Sequence, residues 1–197
     1  MTDIILNQII NQNTKVGQRI KSEAVFDSLF PNFMEVKYEK PSDYIRIYWE
    51  EYQKHPEGNN NFNGEIFVYV LATLFVREGI LPIYMSAKVA FVPNVIYDLM
   101  FYSVERGPIC ISAKTSIRER YKQADLEAIA LKYVHRKALC FLVTLEEKEA
   151  KSVKAKIKSG DVIGLDSVVV ATSDDFDELI QELKKFQFSE PSNCKSY

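Results

Sequence analysis

Cysteine and histidine are scarce in this sequence of 197 residues, which contains three cysteines and two histidines. The cysteines Cys110, Cys140 and Cys194 cannot all pair with one another, and no CxxC spacing joins them to each other or to the histidines. We therefore expect neither a disulfide framework nor a structural zinc site. Glycine is also sparse, at seven residues, and the sequence has no glycine-rich phosphate-binding loop.

Long apolar segments and an excess of one charge sign are missing as well. A membrane-spanning helix needs about 18 or more consecutive apolar residues, which this sequence lacks. The start of the chain has no basic region followed by a long apolar run, so we expect a protein without membrane contact that works in the cytoplasm. A net charge of −2 argues against a protein that coats nucleic acid indiscriminately.

The composition that is present is typical of a folded globular protein. Hydrophobic residues make up 47% of the chain and charged residues 26%, and the length suits one domain. We expect a single domain over residues 1–197. It would have a helical N-terminal part at 1–60, a core at 61–188 and a frayed tail at 189–197.

The order of the predicted helices and strands favours a mixed sheet. The core begins with one helix and three short strands, predicted at 65–77, 81–89, 92–103 and 109–114. It then alternates helix and strand, predicted at 118–135, 138–144, 146–158, 167–171 and 174–186. A meander followed by crossover units cannot close as a purely parallel or purely antiparallel sheet. We therefore predict an α/β fold with a mixed central β-sheet flanked by helices.

Basic side chains are concentrated in one region of the chain. Residues 114–137 contain seven basic and three acidic side chains, and residues 151–158 add four lysines. Such a region is either a set of solvated helix faces or a surface that binds phosphates. Composition alone leaves both interpretations open.

One strand of the predicted meander ends on a lysine. Alternation along residues 109–114 places Cys110, Ser112 and Lys114 on the same face, and the preceding strand carries Asp98. A hairpin can bring this carboxylate within a few ångströms of the ammonium. A phosphodiesterase uses such a pair, because a carboxylate holds Mg²⁺ while a lysine orients or deprotonates the attacking water. The alternative is an ordinary hairpin salt bridge.

Glu127 lies on the helix that follows this strand. Its neighbours three and four positions away are mostly small or apolar, namely Gln123, Ala124, Ala130 and Leu131. A carboxylate on a packed face is costly unless it is hydrogen-bonded, protonated or bound to a metal. Glu127 is therefore a candidate metal ligand. The alternative is an ion pair with Lys122 or Lys132.

The start of the same predicted helix carries the triplet Arg118-Glu119-Arg120. Arginine matches the O6/N7 edge of guanine, and glutamate can accept from the amino group of cytosine. Arg120 and Glu127 are seven residues apart, which is about 10 Å along a helix. One helix could therefore reach from base edges to a scissile phosphate, although a solvated triplet without a partner is the alternative.

Together these residues resemble the PD-(D/E)xK nucleases. Among them they resemble the type II restriction endonucleases of the EcoRII, SsoII and NgoMIV group, which recognise CCGG, CCNGG or CCWGG. In that group serine commonly replaces the acid before the lysine and a glutamate on the next helix takes its role, as in Ser112-Ala113-Lys114 and Glu127 here. Glu127 stands 13 residues after the lysine, as in the EcoRII and SsoII branch. Asp98 is similar to the metal-binding aspartate.

Two further motifs extend the resemblance over residues 63–127. Arg118-Glu119-Arg120 resembles the R-(D/E)-R motif with which the family reads its CC/GG pairs. Glu65, at the start of the predicted core helix, resembles an N-terminal acidic residue that assists at the metal site.

The resemblance implies a restriction-endonuclease-like core and Mg²⁺-dependent hydrolysis of double-stranded DNA at a CC/GG-containing palindrome. It implies that Asp98 and Glu127 bind the metal, that Lys114 positions the water and that Glu65 assists. A homodimer on the two-fold symmetric site is the simplest assembly, and a cognate DNA methyltransferase is the expected functional partner. The alternatives are a repair or structure-selective nuclease of the same superfamily, and a DNA-binding module without catalysis.

Overall fold

The computed structural model describes residues 16–30, 32–56, 58 and 62–191. The helices are α1 (Val16–Leu29), α2 (Pro41–Lys54), α3 (Asn63–Arg77), α4 (Arg120–Val134), α5 (Glu147–Ser159) and α6 (Asp174–Leu183), with a 3₁₀ turn at Phe33–Glu35. The strands are β1 (Tyr84–Ala87), β2 (Tyr97–Ser103), β3 (Gly107–Lys114), β4 (Leu139–Thr144) and β5 (Ser167–Val170). Over the described ranges, no helix has the length and apolar character needed to cross a membrane.

The five strands form one mixed sheet in the order β1-β2-β3-β4-β5. β1, β2 and β3 pair antiparallel as a meander, whereas β3, β4 and β5 pair parallel. α4 connects β3 to β4, and α5 connects β4 to β5. The carboxyl ends of the parallel strands meet at one edge, where Lys114, Thr144 and Val170 lie in register. We call this the carboxyl edge.

Helices cover both faces of the sheet because both faces are apolar. Ile109, Ile111 and Ala113 of β3 pack into one buried cluster together with side chains of α2, α3 and α6, and we call this side the α3 face. Cys110 of β3 packs on the opposite side with side chains of α4 and α5, which we call the α4 face. The alternation predicted for β3 is thereby confirmed.

A buried carboxylate fixes α4 against the loop that precedes β5. Asp125 is 9% exposed, and its Oδ1 accepts hydrogen bonds from the backbone N–H groups of Gly164, at 2.6 Å, and Leu165, at 3.1 Å. A Cβ added to Gly164 would lie 2.7 Å from the backbone nitrogen of Ile129 and in conflict with the carbonyl oxygen of Asp125. The loop therefore approaches the helix closely enough to require glycine there.

Some predicted boundaries differ from those observed. α4 begins at Arg120 rather than at residue 118, because Arg118 adopts a left-handed φ of 40° that is incompatible with a right-handed helix. At the other end of the chain, Ser189 donates its N–H to the carbonyl oxygen of Tyr102 at 3.0 Å, so the first residue of the predicted frayed tail is attached to β2. The predictions for residues 1–15 and 192–197 lie outside the described residues.

Candidate active site

The antiparallel pairing of β2 with β3 brings Asp98 and Lys114 together. The register aligns Leu99 with Ile111, and the Nζ of Lys114 lies 2.7 Å from the Oδ2 of Asp98. The same oxygen accepts the backbone N–H of Ala113 at 2.8 Å. Within the part of the chain that the structure describes, the other carboxylate oxygen of Asp98 accepts no hydrogen bond, so it is open to a ligand.

This ion pair lies at the carboxyl edge and is only partly accessible. The side chain of Lys114 is 23% exposed and that of Asp98 is 29% exposed. Partial burial lowers the effective dielectric around the two charges, so each acts more strongly on a nearby charge than it would in water. Ser112 is half-buried and contributes a hydroxyl rather than a carboxylate two residues before the lysine. A second acid for a metal site here would have to come from another element.

Glu127 lies in the middle of α4, the helix that packs on the face carrying Cys110. Its side chain is half-buried, and its Oε1 accepts a hydrogen bond from the side-chain amide of Gln123 at 2.8 Å. Its backbone carbonyl accepts a hydrogen bond from the hydroxyl of Tyr97 at 3.1 Å. Because Tyr97 immediately precedes Asp98, this contact ties the middle of α4 to the strand that carries the aspartate.

The sequence predicted no role for Tyr97, whose buried hydroxyl donates the hydrogen bond to α4. Burial raises the pKa of the Tyr97 hydroxyl, and the nearby thiols of Cys110 and Cys140 and the charge of Glu127 act in the same direction. The hydroxyl consequently stays protonated at neutral pH and remains a donor to the α4 backbone. An aromatic residue in a strand carries no sequence signal for this contact, because the acceptor is a main-chain carbonyl 30 positions away.

The lysines proposed as alternative partners of Glu127 are occupied elsewhere. Lys122 forms an ion pair with Glu119, and Lys132 lies 2.7 Å from the Oδ2 of Asp166. The alternative to a metal-ligand role, in which Glu127 pairs with Lys122 or Lys132, is therefore not what the structure shows. No ion pair within the described ranges compensates the charge of Glu127. No hydrogen bond there joins its carboxylate to Asp98 or Lys114 either.

Glu65 lies in the first turn of α3, the helix that packs on the opposite face of the sheet. One of its carboxylate oxygens, Oε2, is completely buried and has no hydrogen-bond partner among the described residues. A buried carboxylate oxygen without a partner is costly, and bound metal or water commonly removes such a cost. Glu65 makes no hydrogen bond or ion pair with Asp98 or Lys114 in the described structure.

The triplet Arg118-Glu119-Arg120 is fully exposed at the start of α4. Arg118 has the left-handed φ of 40°, Glu119 is the N-cap residue and Arg120 is the first helical residue. The ion pair with Lys122 lowers the pKa of Glu119. Both arginines therefore face solvent from a sharp turn, while Glu119 is engaged with its own helix.

A metal bound at Asp98 would keep most of its ligands as water. Among the residues described, no group of three or more His, Cys, Asp or Glu side chains is placed to hold a metal ion. Mg²⁺ usually takes only one or two protein carboxylates and completes its octahedron with water and phosphate oxygens. Asp98, with one carboxylate oxygen that accepts no hydrogen bond among the described residues, is compatible with this mode of binding. No contact in the described structure brings the carboxylate of Glu127 or of Glu65 to Asp98.

Comparison with known proteins identifies the architecture. No family model and no curated protein sequence matches the chain. A search of solved structures finds the restriction endonuclease PspGI in complex with its substrate DNA. The TM-score is 0.53 and the identity 19%, and the match covers 97% of this chain and 83% of that chain. The protein has a restriction-endonuclease-like fold.

The restriction-endonuclease-like fold confirms the predicted mixed sheet flanked by helices. At 19% identity the similarity extends to the fold alone. The assignment to the EcoRII, SsoII and NgoMIV group stays a prediction, as do the roles of Asp98, Lys114, Glu127, Glu65 and the arginine triplet.

Proposed function

We propose that this protein is a Mg²⁺-dependent type II restriction endonuclease that hydrolyses phosphodiester bonds of double-stranded DNA at a CC/GG-containing palindrome. The observation that carries the proposal is the contact of 2.7 Å between Lys114 and Asp98 at the carboxyl edge of the sheet. A fold similar to that of a restriction endonuclease bound to its substrate DNA supports it. So does the exposed arginine triplet at the start of the adjoining helix.

The proposed chemistry divides among four side chains. Asp98 and Glu127 would hold Mg²⁺, which when bound polarises the phosphate and lowers the pKa of its water. Lys114 orients the attacking water and stabilises the negative charge that develops on the phosphate oxygens. The water oxygen forms a bond to phosphorus and gives up a proton to solvent, while the bond from phosphorus to the leaving deoxyribose oxygen breaks and that oxygen takes up a proton from solvent. Glu65 assists at the metal.

The proposed recognition depends on the start of α4. Arg118 and Arg120 would each donate to the O6/N7 edge of a guanine, and Glu119 would accept from a cytosine amino group. A palindromic site has two-fold symmetry, so two copies of the chain would each present one α4 to a half-site. A methyltransferase that modifies the same sequence would protect the host DNA.

One observation favours a second candidate function, a structure-selective or repair nuclease that contacts only the DNA backbone. The carboxylate of Glu119 forms an ion pair with Lys122, so in this structure the triplet presents two cations and no free acceptor. Cations alone bind phosphates without reading sequence. The two candidates differ in the products that they generate.

The test is incubation of the purified protein with phage and plasmid DNA, with Mg²⁺ and with a chelator. Discrete fragments that appear only with Mg²⁺ support the restriction endonuclease. A smear, or cutting only at branched or damaged DNA, supports the second candidate. Gel retardation without cleavage under any metal condition would instead identify a DNA-binding module and contradict both nuclease functions.

A further inference from the structure

A carboxylate outside the proposed site holds the turn from which the arginine triplet emerges. Glu149 lies in the first turn of α5, and its Oε2 accepts the backbone N–H of Ile117 at 2.7 Å and the N–H of Arg118 at 3.0 Å. These two donors belong to the segment between β3 and α4. The contact therefore links two crossover connections of the parallel half of the sheet.

The turn held by Glu149 has an uncommon backbone conformation. Arg118 adopts a left-handed φ of 40°, which is disfavoured for any residue with a Cβ and persists where the surroundings impose it. Ile117 is completely buried in the cluster on the α4 face, and its carbonyl accepts the N–H of Arg120 at 2.6 Å. The buried side chain of Ile117 and the carboxylate of Glu149 thus fix the backbone conformation of this turn.

Glu149 differs from its acidic neighbours in the same turn of α5. Glu147 is exposed and pairs with Lys151, four residues along the helix, at 2.6 Å. Glu149 is half-buried, and both of its hydrogen bonds go to backbone donors more than 30 positions away. A carboxylate that accepts two backbone N–H groups forms charge-assisted hydrogen bonds, which are stronger than neutral ones.

We propose that Glu149 is a positioning residue for base recognition, which holds the turn at Ile117 and Arg118 so that Arg118, Glu119 and Arg120 are oriented before DNA binds. This inference depends on the proposed function, because it concerns the readout by the same triplet. Base contacts need defined geometry, whereas phosphate contacts tolerate a mobile side chain. Loss of Glu149 therefore weakens specific binding more than nonspecific binding.

The test compares four variants with the wild-type chain in the absence of Mg²⁺. Dissociation constants are measured for a CC/GG duplex and for a scrambled duplex of equal length, at one salt concentration. Glu149→Ala, and Glu149→Asp, whose side chain is one methylene shorter, should lower the ratio of specific to nonspecific affinity about tenfold. Glu149→Gln, which keeps an acceptor oxygen, should retain most of that ratio. Glu147→Ala should behave as wild type.

A second measurement separates failure of the inference from failure of the proposed function. Hydrogen exchange of the Ile117 and Arg118 amides, without DNA, should accelerate in Glu149→Ala and Glu149→Asp and stay slow in Glu149→Gln. Unchanged exchange, or full discrimination by Glu149→Ala, would overturn the role of Glu149 while leaving the nuclease function standing. A wild-type protein that binds both duplexes equally would overturn the base-reading function itself, together with the role of Glu149 in it.

Discussion

At the scale of single residues, the ammonium of Lys114 lies 2.7 Å from Asp98 and is only partly exposed. Replacing Lys114 with alanine removes the charge that we propose stabilises the reacting phosphate, and it leaves the arginine triplet in place. We expect Lys114→Ala to reduce cleavage at least about 100-fold, with specific binding largely retained in gel-shift measurements. Lys151→Ala, which removes an exposed lysine of α5, is the matched control and should cleave normally. Cleavage by Lys114→Ala at the wild-type rate would contradict the role of the lysine.

The second residue-scale prediction concerns the metal. Glu127 has a half-buried carboxylate that accepts a hydrogen bond from the neutral amide of Gln123, and no ion pair among the described residues compensates its charge. We expect Glu127→Gln to raise the Mg²⁺ concentration needed for half-maximal cleavage about tenfold or more. The exposed Glu178 of α6 provides the control, because Glu178→Gln should leave this concentration unchanged. An unaltered Mg²⁺ dependence in Glu127→Gln would remove Glu127 from the metal site.

Arg120 carries the third residue-scale prediction, which concerns recognition. Its side chain is exposed at the first position of α4, where a guanidinium can reach a base edge. We expect Arg120→Ala to cost about 1–3 kcal/mol of specific binding and to relax discrimination at one G·C pair. Binding constants for duplexes substituted at each position measure the effect. Equal weakening on every sequence would mean that Arg120 contacts phosphate instead.

At the scale of secondary-structure elements, the placement of α4 decides whether its start and its middle can serve the proposed recognition and catalysis together. Asp125 holds the loop before β5 through the N–H groups of Gly164 and Leu165. Tyr97 holds the middle of the helix through the carbonyl of Glu127. These contacts fix α4 both along its axis and in rotation about it.

The element-scale prediction tests this attachment. In Gly164→Ala the new methyl group would lie 2.7 Å from the backbone nitrogen of Ile129 and 2.8 Å from its Cγ1, so the loop must move away from α4. We expect a loss of about 1–3 kcal/mol in the free energy of unfolding, measured by urea denaturation. Gly64→Ala is the control, because nothing lies within 4 Å of a Cβ at that position, and it should leave stability unchanged or slightly higher. Equal stability of the two variants would show that the loop does not pack closely against the helix.

At the scale of the whole molecule, charge is separated although the net charge is only −2. The acidic side chains at the start of α6 have partners within the molecule. Asp174 forms an ion pair with Lys40 at 2.9 Å, and Asp177 accepts a hydrogen bond from the backbone N–H of Ser42 at 2.7 Å. The start of α4, in contrast, presents Arg118 and Arg120 to solvent. The molecule thus presents a local cationic surface without an overall positive charge.

The whole-molecule prediction is the stoichiometry on DNA. If one α4 per chain reads one half-site, as proposed, a palindrome requires two copies related by a two-fold axis. We expect analytical ultracentrifugation without Mg²⁺ to show two chains on each palindromic duplex, and the complex to dissociate as salt rises. A duplex with a single intact half-site serves as the control and should bind more weakly. One chain bound per palindrome would exclude the symmetric assembly.

What the sequence determined by itself follows from local backbone rules. The two-residue period of a strand placed Cys110 and Lys114 on one face, and the short turn before Gly107 made β2 the antiparallel neighbour of β3. Asp98 and Lys114 are only 16 positions apart, so the hairpin predicts their contact. The order of helices and strands likewise predicted the mixed sheet.

Only the tertiary structure decided how the connections pack on one another. The contacts that position α4 and its first turn join residues 30 or more positions apart, from Tyr97 to Glu127, from Glu149 to Ile117 and from Asp125 to Gly164. Each of these contacts depends on the rotation of a helix about its axis and on the distance of that helix from its neighbour. Close packing of many core side chains sets this rotation and this distance. Periodicity along the chain fixes which face of a helix is buried, whereas close packing of the folded chain selects the partner of each polar group on that face.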